Sequence, residues 1–299
     1  MKSFNELLES AKKLSKCRIA VAQAANETVL EAVKIAQGEG LIEPVLVGEP
    51  EGIRRAADAV HLDLAEHMVI PAGPAEVART TVQLVARGEA DLLMKGHIPT
   101  GTLLKEVLNK KNGLNTGKSL SQVGVFKLPE YCPLLFVTDA GLNIAPDLKQ
   151  KIDIIQNAVD LARSLRVEHP IVAVLCAIES VNPAMPATLE AASLAKLAER
   201  GGIRGCRVEG PLALDNAISV EAARHKGITS PLAGRADILV VHDIEAGNIL
   251  YKALVFFAKA ESASLIVGAR VPLVVTSRAD SAATRLYSIA LAVLSYRSA

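Results

Sequence analysis

Polar and ionisable residues stand between two apolar segments at residues 242–248, where the sequence reads HDIEAGN. The preceding run, residues 238–241, predicts a strand, and the following run, residues 249–257, predicts a helix. His242, Asp243 and Glu245 are types that bind substrates or move protons. A structural alternative is a helix start, with Asn248 as its cap and the acids favouring the helix dipole.

A second loop of this kind follows the apolar run that ends at Met94 and reads KGHIPTGT. Backbone N–H groups at a helix start suit an anion. Lys95, His97, Thr100 and Lys105 would add positive charge and hydrogen-bond donors there. The alternative is an ordinary strand-to-helix turn that is capped by a threonine.

A third loop, TSRADS, places Ser277 and Arg278 directly after an apolar run. An arginine at a strand end presents a planar fork that matches phosphate oxygens. Pairing of Arg278 with Asp280 is the structural alternative. A fourth loop, VEGPLALDNAIS, offers Asp215 and Asn216, either as a helix cap or as groups that face a ligand.

Several motifs of known chemistry are missing from the sequence. The segment GLNTGKS, residues 113–119, has three residues between its first Gly and the Gly-Lys pair, where a P-loop requires four. It also follows a helical pattern, so we interpret it as a basic turn. Neither GxGxxG nor HExxH occurs, and the six histidines are scattered. We therefore expect neither a bound cofactor nor a metal site.

Short apolar runs alternate with helical patterns along the chain, which indicates an α/β protein with mainly parallel sheets. The predicted strands are Arg18–Ala22, Pro44–Val47, Met68–Ile70, Ala90–Met94, Val123–Phe126, Leu134–Val137, Ile171–Ala177, Cys206–Val208, Asp237–Val241 and Pro272–Thr276. Predicted helices include Thr28–Gln37, Glu76–Arg87, Lys149–Ser164 and Pro186–Arg200. Ligands of such sheets bind beyond the carboxyl ends of the strands. The polar loops therefore predict a shared crevice.

Composition narrows the class of protein. The chain has 299 residues, half of them hydrophobic, which suits one or two domains with a sizeable core. A formal net charge of +1 argues against nucleic acid or an anionic membrane as a partner. The N-terminus predicts an amphipathic helix rather than a signal peptide, and no apolar run approaches about 18 residues. Four well-separated cysteines predict a reduced, cytoplasmic location.

Five long segments carry a family resemblance. They read KGHIPTGTLLKEVL, NPAMPATLEAASLAKLAERGGIRGC, EGPLALDNAIS, SPLAGRADILVVHDIEAGNILYKALVFFA and GARVPLVVTSRADS. Together they resemble the phosphate acetyl/butyryltransferase family, and most closely its butyryl branch. The resemblance implies two three-layer α/β/α domains, similar to isocitrate and isopropylmalate dehydrogenases, with an active-site cleft between them. The expected domains are residues 1–138 with 268–299, and residues 139–267.

The activity that the resemblance implies is reversible acyl transfer from butyryl-CoA, or a related short-chain acyl-CoA, to phosphate. An acyl-phosphate kinase is the expected functional partner, and a homo-oligomer is the expected assembly. Acetyl-CoA as the substrate is the alternative within this class. A non-catalytic acyl-CoA-binding subunit is an alternative from another class. A metal-dependent dehydrogenase on the same fold is less favoured, because that chemistry needs a carboxylate cluster.

The resemblance also assigns roles to residues. Ser277 and Arg278 match a Ser-Arg pair that takes part in binding and catalysis. Lys105 stands where the acetyl branch has Arg, and Thr284 stands where it has a catalytic Asp. Asp280 is then the nearest candidate for a general base.

The HDIEAGN segment also matches the family, in a loop that faces the cleft. Asp243, Glu245, Gly247 and Asn248 match the pattern, so we expect them at the substrate, as we do Asp215. His242 departs from the pattern, because a Pro usually stands there.

Overall fold

Strands alternate with helices along most of the chain. The structure is a computed structural model that describes residues 1–112, 114–129, 131, 133–277 and 280–298. Its strands are β1 Cys17–Ala22, β2 Ile42–Gly48, β3 Met68–Pro71, β4 Leu92–Lys95, β5 Ser121–Lys127, β6 Leu135–Thr138, β7 Ile171–Leu175, β8 Arg207–Leu212, β9 Ile238–Val240, β10 Glu261–Val267 and β11 Leu273–Val274.

The helices are α1 Phe4–Lys12, α2 Glu27–Gly38, α3 Pro50–Ala59, α4 Val77–Ala86, α5 Thr100–Val107, α6 Leu148–Ser164, α7 Pro186–Glu199, α8 Leu214–Ile218, α9 Val220–His225, α10 Ile244–Phe256 and α11 Ala282–Arg297. A 3₁₀ turn covers Lys110–Asn112. Every strand and helix predicted above is confirmed, with ends shifted by a few residues. The prediction missed β10, in which Ser262 and Ser264 are buried beside apolar neighbours.

The chain divides into two compact units. The first unit is Phe4–Lys118 with Ala263–Ala299, and the second is Ser119–Ser262 with Met1–Ser3. The first boundary between the two units therefore lies between residues 118 and 119, whereas the sequence predicts it between residues 138 and 139. The reason is that β5 and β6 pair with each other, and β6 pairs with β9, so both strands belong to the second unit.

Strands of the first unit lie in the order β3-β2-β1-β4-β11-β10. Among the described residues, β1 pairs in parallel with β2 and β4, as do β2 with β3 and β4 with β11, while β10 and β11 are antiparallel. From β1 the chain moves outward to β2 and β3, and it then returns to place β4 on the other side of β1. Because crossovers between parallel strands are right-handed, α2 and α3 cover one face and α4 the other. The β1/β4 junction is the topological switch point of this unit.

The second unit has the strand order β5-β6-β9-β7-β8. Its pairings are parallel apart from β5 with β6. Strand β9 lies between β6 and β7, so here too the direction of the connections reverses. The expected α/β class with mainly parallel sheets is therefore confirmed.

Each unit has its own apolar core. In the first, Phe4 of α1 stacks on Tyr287 of α11 with ring centroids 4.7 Å apart, as the amphipathic N-terminal pattern predicts. In the second, Phe126 meets the edge of Tyr251 at 4.9 Å, above buried residues of β6 and β9. Within the described residues, no helix is long and apolar enough to cross a membrane.

Candidate active site

Two of the four predicted polar loops, those that follow β4 and β11, lie at one edge of the sheet in the first unit, beside the loop that follows β1. The register pairs Ala22 of β1 with Lys95 of β4, and Met94 of β4 with Val274 of β11. The residues that follow these strands therefore emerge side by side at their carboxyl ends. This edge includes the switch point, where open α/β sheets form a crevice.

The backbones of the loops that follow β1 and β4 approach closely at the switch point. The N–H of Gly96 donates to the carbonyl of Ala22 at 2.8 Å, and the N–H of His97 donates to the carbonyl of Gln23 at 2.9 Å. A Cβ atom on Gly96 would lie 2.3 Å from the Gln23 carbonyl oxygen, so only glycine fits there. The chain thus holds His97 at the junction through backbone bonds, which leaves its exposed imidazole available to a ligand.

Sequence reasoning missed Gln23, which lies at this edge. Its φ is 58°, in the left-handed region that residues other than glycine seldom adopt. Its side-chain Oε1 is buried, and it has no hydrogen-bond partner among the described residues. An unusual backbone conformation next to polar loops is typical of functional sites. The only sequence signal was a polar residue directly after an apolar strand.

The predicted anion-binding loop is confirmed as a strand-to-helix connection. Lys95 ends β4 half-buried, His97 is exposed, and Thr100 opens α5 after Pro99. Because Pro99 has no side-chain acceptor, it leaves the first-turn N–H groups of α5 to other partners. Lys105 lies in the last turn of α5, roughly 7.5 Å further along the helix axis, so the structure does not place it with the others.

The segment after β11 carries the predicted Ser-Arg pair. Ser277 is exposed. Its N–H donates to Oδ2 of Asp280 at 2.7 Å, and its carbonyl accepts from the N–H of Asp280 at 3.2 Å. The same carbonyl accepts from Nη2 of Arg285 at 3.3 Å. Arg278 lies outside the described residues, and with it the alternative Arg278–Asp280 pair.

Thr284 takes the position where the resemblance expects a catalytic Asp. It is buried in the first turn of α11, where its N–H and its hydroxyl both bond to Oγ of the cap residue Ser281, each at 3.1 Å. A hydroxyl held in this way stabilises the helix start and offers no carboxylate to the reaction.

Two residues of the HDIEAGN segment in the second unit, Asp243 and Gly247, have structural roles. Asp243, not Asn248, caps α10: its Oδ1 accepts from the N–H of Ala246 at 2.8 Å. The capping alternative was therefore right in kind and wrong in residue. Gly247 packs against the backbone of the β6 loop, where a Cβ would lie 2.5 Å from the carbonyl oxygen of Asp139. Glu245 and Asn248 keep exposed side chains.

Asp139 holds the loop against which Gly247 packs. Its buried carboxylate accepts from the N–H groups of Gln122, Gly141, Leu142 and Asn143 at 3.0–3.2 Å. Burial raises the pKa of this carboxyl, although the same hydrogen bonds oppose the rise. Its only sequence signal was an acid directly after an apolar run, and sequence reasoning missed it.

His242 joins a small polar network. Its Nδ1 lies 3.3 Å from Nζ of Lys151 and its Nε2 3.3 Å from Sγ of Cys176, while Lys151 also pairs with Glu190. Burial lowers the pKa of His242, and the Lys151 charge lowers it further. Burial raises the pKa of Cys176 to about 11. A neutral imidazole and a neutral thiol connect the loops after β7 and β9, without an activated nucleophile.

Asp215 lies in the first turn of the short helix α8. It is exposed and pairs with Lys226, with Oδ2 and Nζ 3.3 Å apart. Its pKa is lowered chiefly by a hydrogen bond from the backbone N–H of Asn216, with Lys226 contributing. Asn216 itself is buried and donates to Glu179 at 3.3 Å. The capping alternative is wrong for this pair, because Ala213 precedes α8 without a side-chain cap and Ser219 caps α9. Asp215 instead pairs with Lys226 at the surface.

The GLNTGKS segment follows α5 and the 3₁₀ turn rather than a strand. The N–H of Gly117 donates to Oδ1 of Asn115 at 2.8 Å, and Gly117 has a φ of 85°. The interpretation as a basic turn is therefore confirmed over residues 114–118. Gly113 lies outside the described residues.

Comparison with protein families indicates which chemistry the carboxyl edge of the first unit's sheet supports. The family model "Phosphate acetyl/butaryl transferase" matches residues 3–81 and 70–293.

The chain belongs to this family.

Relatives named as acyltransferases of this family align with nearly all of the chain. It is 50% identical to the phosphate acetyltransferase of Thermotoga maritima, over 97% of this chain and 99% of the relative. It is 45% identical to the phosphate butyryltransferase of Clostridium acetobutylicum, over 98% of both. Relatives named for two-carbon and four-carbon acyl groups thus stand at similar distances.

Solved structures agree with the family and with the expected fold. A branched-chain phosphotransacylase from Enterococcus faecalis V583 is 35% identical with a TM-score of 0.82, over 94% of this chain and 99% of that one. A 4-hydroxythreonine-4-phosphate dehydrogenase from Klebsiella pneumoniae has a TM-score of 0.57 at 15% identity, over 94% and 100%. The second likeness shows the fold alone, and it confirms the dehydrogenase-like class.

The first-unit edge is suited to the chemistry of this acyltransferase family. Phosphate is an anion, and Lys95, His97 and the start of α5 offer a cation and donors at neighbouring positions. The exposed Ser277 on the adjacent strand end offers a hydroxyl donor. Such donors can stabilise the charge that develops on a thioester carbonyl oxygen under attack.

Proposed function

We propose that this chain transfers a short acyl group from coenzyme A to inorganic phosphate, reversibly, by direct attack in a ternary complex. A phosphate oxygen forms a bond to the thioester carbonyl carbon, and the carbon–sulfur bond then breaks. The proton carried by phosphate passes to the departing thiolate, which leaves as the CoA thiol. The products are an acyl phosphate and free CoA.

The register between β4 and β11 carries this proposal. The loop with Lys95, His97 and Thr100 follows β4, and the segment with Ser277 follows the neighbouring strand β11, which supports an anion and an acyl group being held side by side. We assign Lys95, His97 and Thr100 to the phosphate, and Ser277 to the carbonyl oxygen that becomes charged. The resemblance assigns Arg278 to the same centre, where its planar fork would bind phosphate oxygens.

Other residues have more distant roles in this proposal. Lys105 is exposed in the last turn of α5, which suits a phosphate of coenzyme A better than the reacting phosphate. Glu245 and Asn248 are the candidates of the second unit for contacts with substrate, because their side chains are exposed. Asp243 and Gly247 build the loop that carries them.

We propose butyryl-CoA as the preferred substrate, with acetyl-CoA as the alternative. The motif resemblance to the butyryl branch and the relative from C. acetobutylicum support the former. The relative from T. maritima supports the latter. A non-catalytic acyl-CoA-binding subunit is the alternative from a different class, and an activity assay separates it from both.

The test is to supply butyryl-CoA with and without phosphate, and to follow free thiol with a chromogenic disulfide. Acyl phosphate is trapped in parallel with hydroxylamine. We expect thiol release only with phosphate, and acyl phosphate in an equal amount. Thiol release without phosphate would indicate a thioesterase, and the absence of turnover would favour the binding subunit.

We also propose that the chain assembles with copies of itself. Helix α10 exposes Ile249 and Phe256, and Phe257 follows directly after it, with fractional exposures of 70%, 58% and 89%. Apolar residues clustered on one element are typical of protein–protein contacts. Light scattering after size exclusion should give more than one protomer, and Phe257→Glu should lower the mass.

The chemistry of the product suggests a functional partner. An acyl phosphate is a high-energy anhydride, so we propose that an acyl-phosphate kinase consumes it. A cytoplasmic location, which we propose as well, agrees with the free thiols of Cys17, Cys176 and Cys206.

A further inference from the structure

Arg285 is a buried cation in the first turn of α11. Its fractional exposure is 7%. Removing a charged group from water is unfavourable unless hydrogen bonds replace the lost solvation. One of those bonds runs from Nη2 of Arg285 to the carbonyl oxygen of Ser277 at 3.3 Å. The helix thus directs a buried charge at the end of strand β11.

Both backbone polar groups of Ser277 are held. Its N–H donates to Asp280 Oδ2 at 2.7 Å, while its carbonyl accepts from the Asp280 N–H at 3.2 Å and from Arg285. The backbone N–H and C=O groups of an exposed loop residue are ordinarily hydrogen-bonded to solvent. Fixing both peptide groups restricts the backbone dihedrals of Ser277 and hence the directions open to its hydroxyl.

The element that carries Arg285 is itself well anchored. Ser281 caps α11 by accepting from the N–H of Thr284 at 3.1 Å, and the N–H of Arg285 donates to the carbonyl of Ser281 at 3.1 Å. The residues from Ser288 to Leu294, about two further turns, are buried. A side chain on a packed helix holds its partner more closely than one on a loop.

We propose that Arg285 is a positioning residue, which holds Ser277 in the orientation that donates to the developing oxyanion. This inference rests on the proposed function, because it needs Ser277 at the reacting centre. Arg285 itself touches neither acyl group nor phosphate. Its contribution is the alignment of a donor, and a misplacement of about 1 Å at a reacting centre can lower a rate about 10²-fold.

The test compares Arg285→Met with the control variant Arg297→Met. Arg297 lies on the same helix and also donates to a backbone carbonyl, that of Lys16 at 2.7 Å, but at the opposite end of α11. Thermal unfolding of both variants establishes that they are folded. We expect Arg285→Met to lower kcat by roughly 10- to 100-fold with both KM values within about threefold. Arg297→Met should keep kcat within about twofold.

A double-mutant cycle with Ser277→Ala separates positioning from an independent role. If Arg285 acts through Ser277, then Arg285→Met on the Ser277→Ala background should lower kcat by less than about threefold. Equal losses on both backgrounds, or an unchanged kcat in folded Arg285→Met, would overturn the proposal. Where the Met variant does not fold, Arg285→Lys retains a charged donor and should give an intermediate kcat; a wild-type kcat overturns the proposal.

The proposed function fails in a different way. If the wild-type chain does not release CoA in response to phosphate, the activity is wrong whatever Arg285 does. If the wild type is active and Ser277→Ala is too, the activity stands and the positioning role falls.

Discussion

The carboxylate of Asp280 accepts the backbone N–H of Ser277 at 2.7 Å. The two are three positions apart along the chain, and the N–H of Asp280 returns a bond to the Ser277 carbonyl at 3.2 Å. The family resemblance made Asp280 the nearest candidate for a general base. Its geometry indicates that one carboxylate oxygen holds the serine backbone instead, so we propose that Asp280 stabilises the segment.

Asp280→Asn and Asp280→Ala distinguish these two roles. The Asn side chain retains an oxygen that accepts the Ser277 N–H, but it cannot take up a proton. We expect Asn to keep kcat within about threefold and Ala to lower it by about tenfold, the equivalent of one lost hydrogen bond. If steady-state kinetics showed Asn to be as impaired as Ala, the carboxylate would be acting as a base.

The elements of this fold were predictable because local patterns encode them. Apolar runs of four to seven residues identified strands such as Leu92–Lys95 and Ile171–Leu175. Strand β10 was not predicted because Ser262 and Ser264 interrupt its apolar pattern. Both serines are nevertheless buried. The N–H of Ser264 donates to the hydroxyl of Ser288, a partner distant in sequence that a local pattern does not reveal. The compact units divide at 118/119 rather than at the expected 138/139, because pairing between residues distant in sequence joins β6 to β9.

The site was predictable to the level of loops and less so to the level of roles. Residues after strands had to meet at the carboxyl edge, which correctly united the Lys95 and Ser277 loops. The sequence offered Asn248 as the cap of α10, whereas Asp243 is the cap. Which of the two polar residues caps the helix depends on where its first turn begins. The contact of Arg285 with Ser277 depends on how α11 leaves the sheet, which residue types alone do not encode.

Gly247→Ala should destabilise the second unit. The added Cβ would lie 2.5 Å from the Asp139 carbonyl oxygen and 2.9 Å from Cα of Ala140, so backbone atoms would have to move. Overpacking of this kind costs about 1–3 kcal/mol. Chemical denaturation measures the loss, and Gly38→Ala is the control, because its Cβ would meet nothing within 4 Å. Equal stability of the two variants would refute the close approach.

Chain-length selectivity should favour four carbons over two. Burying a methylene contributes roughly 1 kcal/mol, so two of them give a preference of about one to two orders of magnitude in kcat/KM. Acetyl-, propionyl-, butyryl- and isobutyryl-CoA are compared at fixed phosphate. A kcat/KM for acetyl-CoA that equals or exceeds that for butyryl-CoA would assign the chain to two-carbon substrates.

Activity should not depend on a metal ion. The proposed mechanism uses fixed donors at strand ends, and the described part of the chain has no group of three His, Cys, Asp or Glu side chains placed to hold a metal. Dialysis against EDTA should leave kcat within about twofold, a change of about 0.4 kcal/mol in the barrier. A loss that one divalent ion restores would require a metal-assisted mechanism.

Phosphate-dependent thiol release by Ser277→Ala tests the central claim most directly. The hydroxyl of Ser277 is proposed to donate to the oxyanion only in the transition state, so its removal should lower kcat about 10²- to 10³-fold with little change in either KM. Thermal unfolding of the variant should match the wild type, because Ser277 is exposed. A kcat within about threefold of wild type, in a folded variant, would show that the reaction takes place elsewhere.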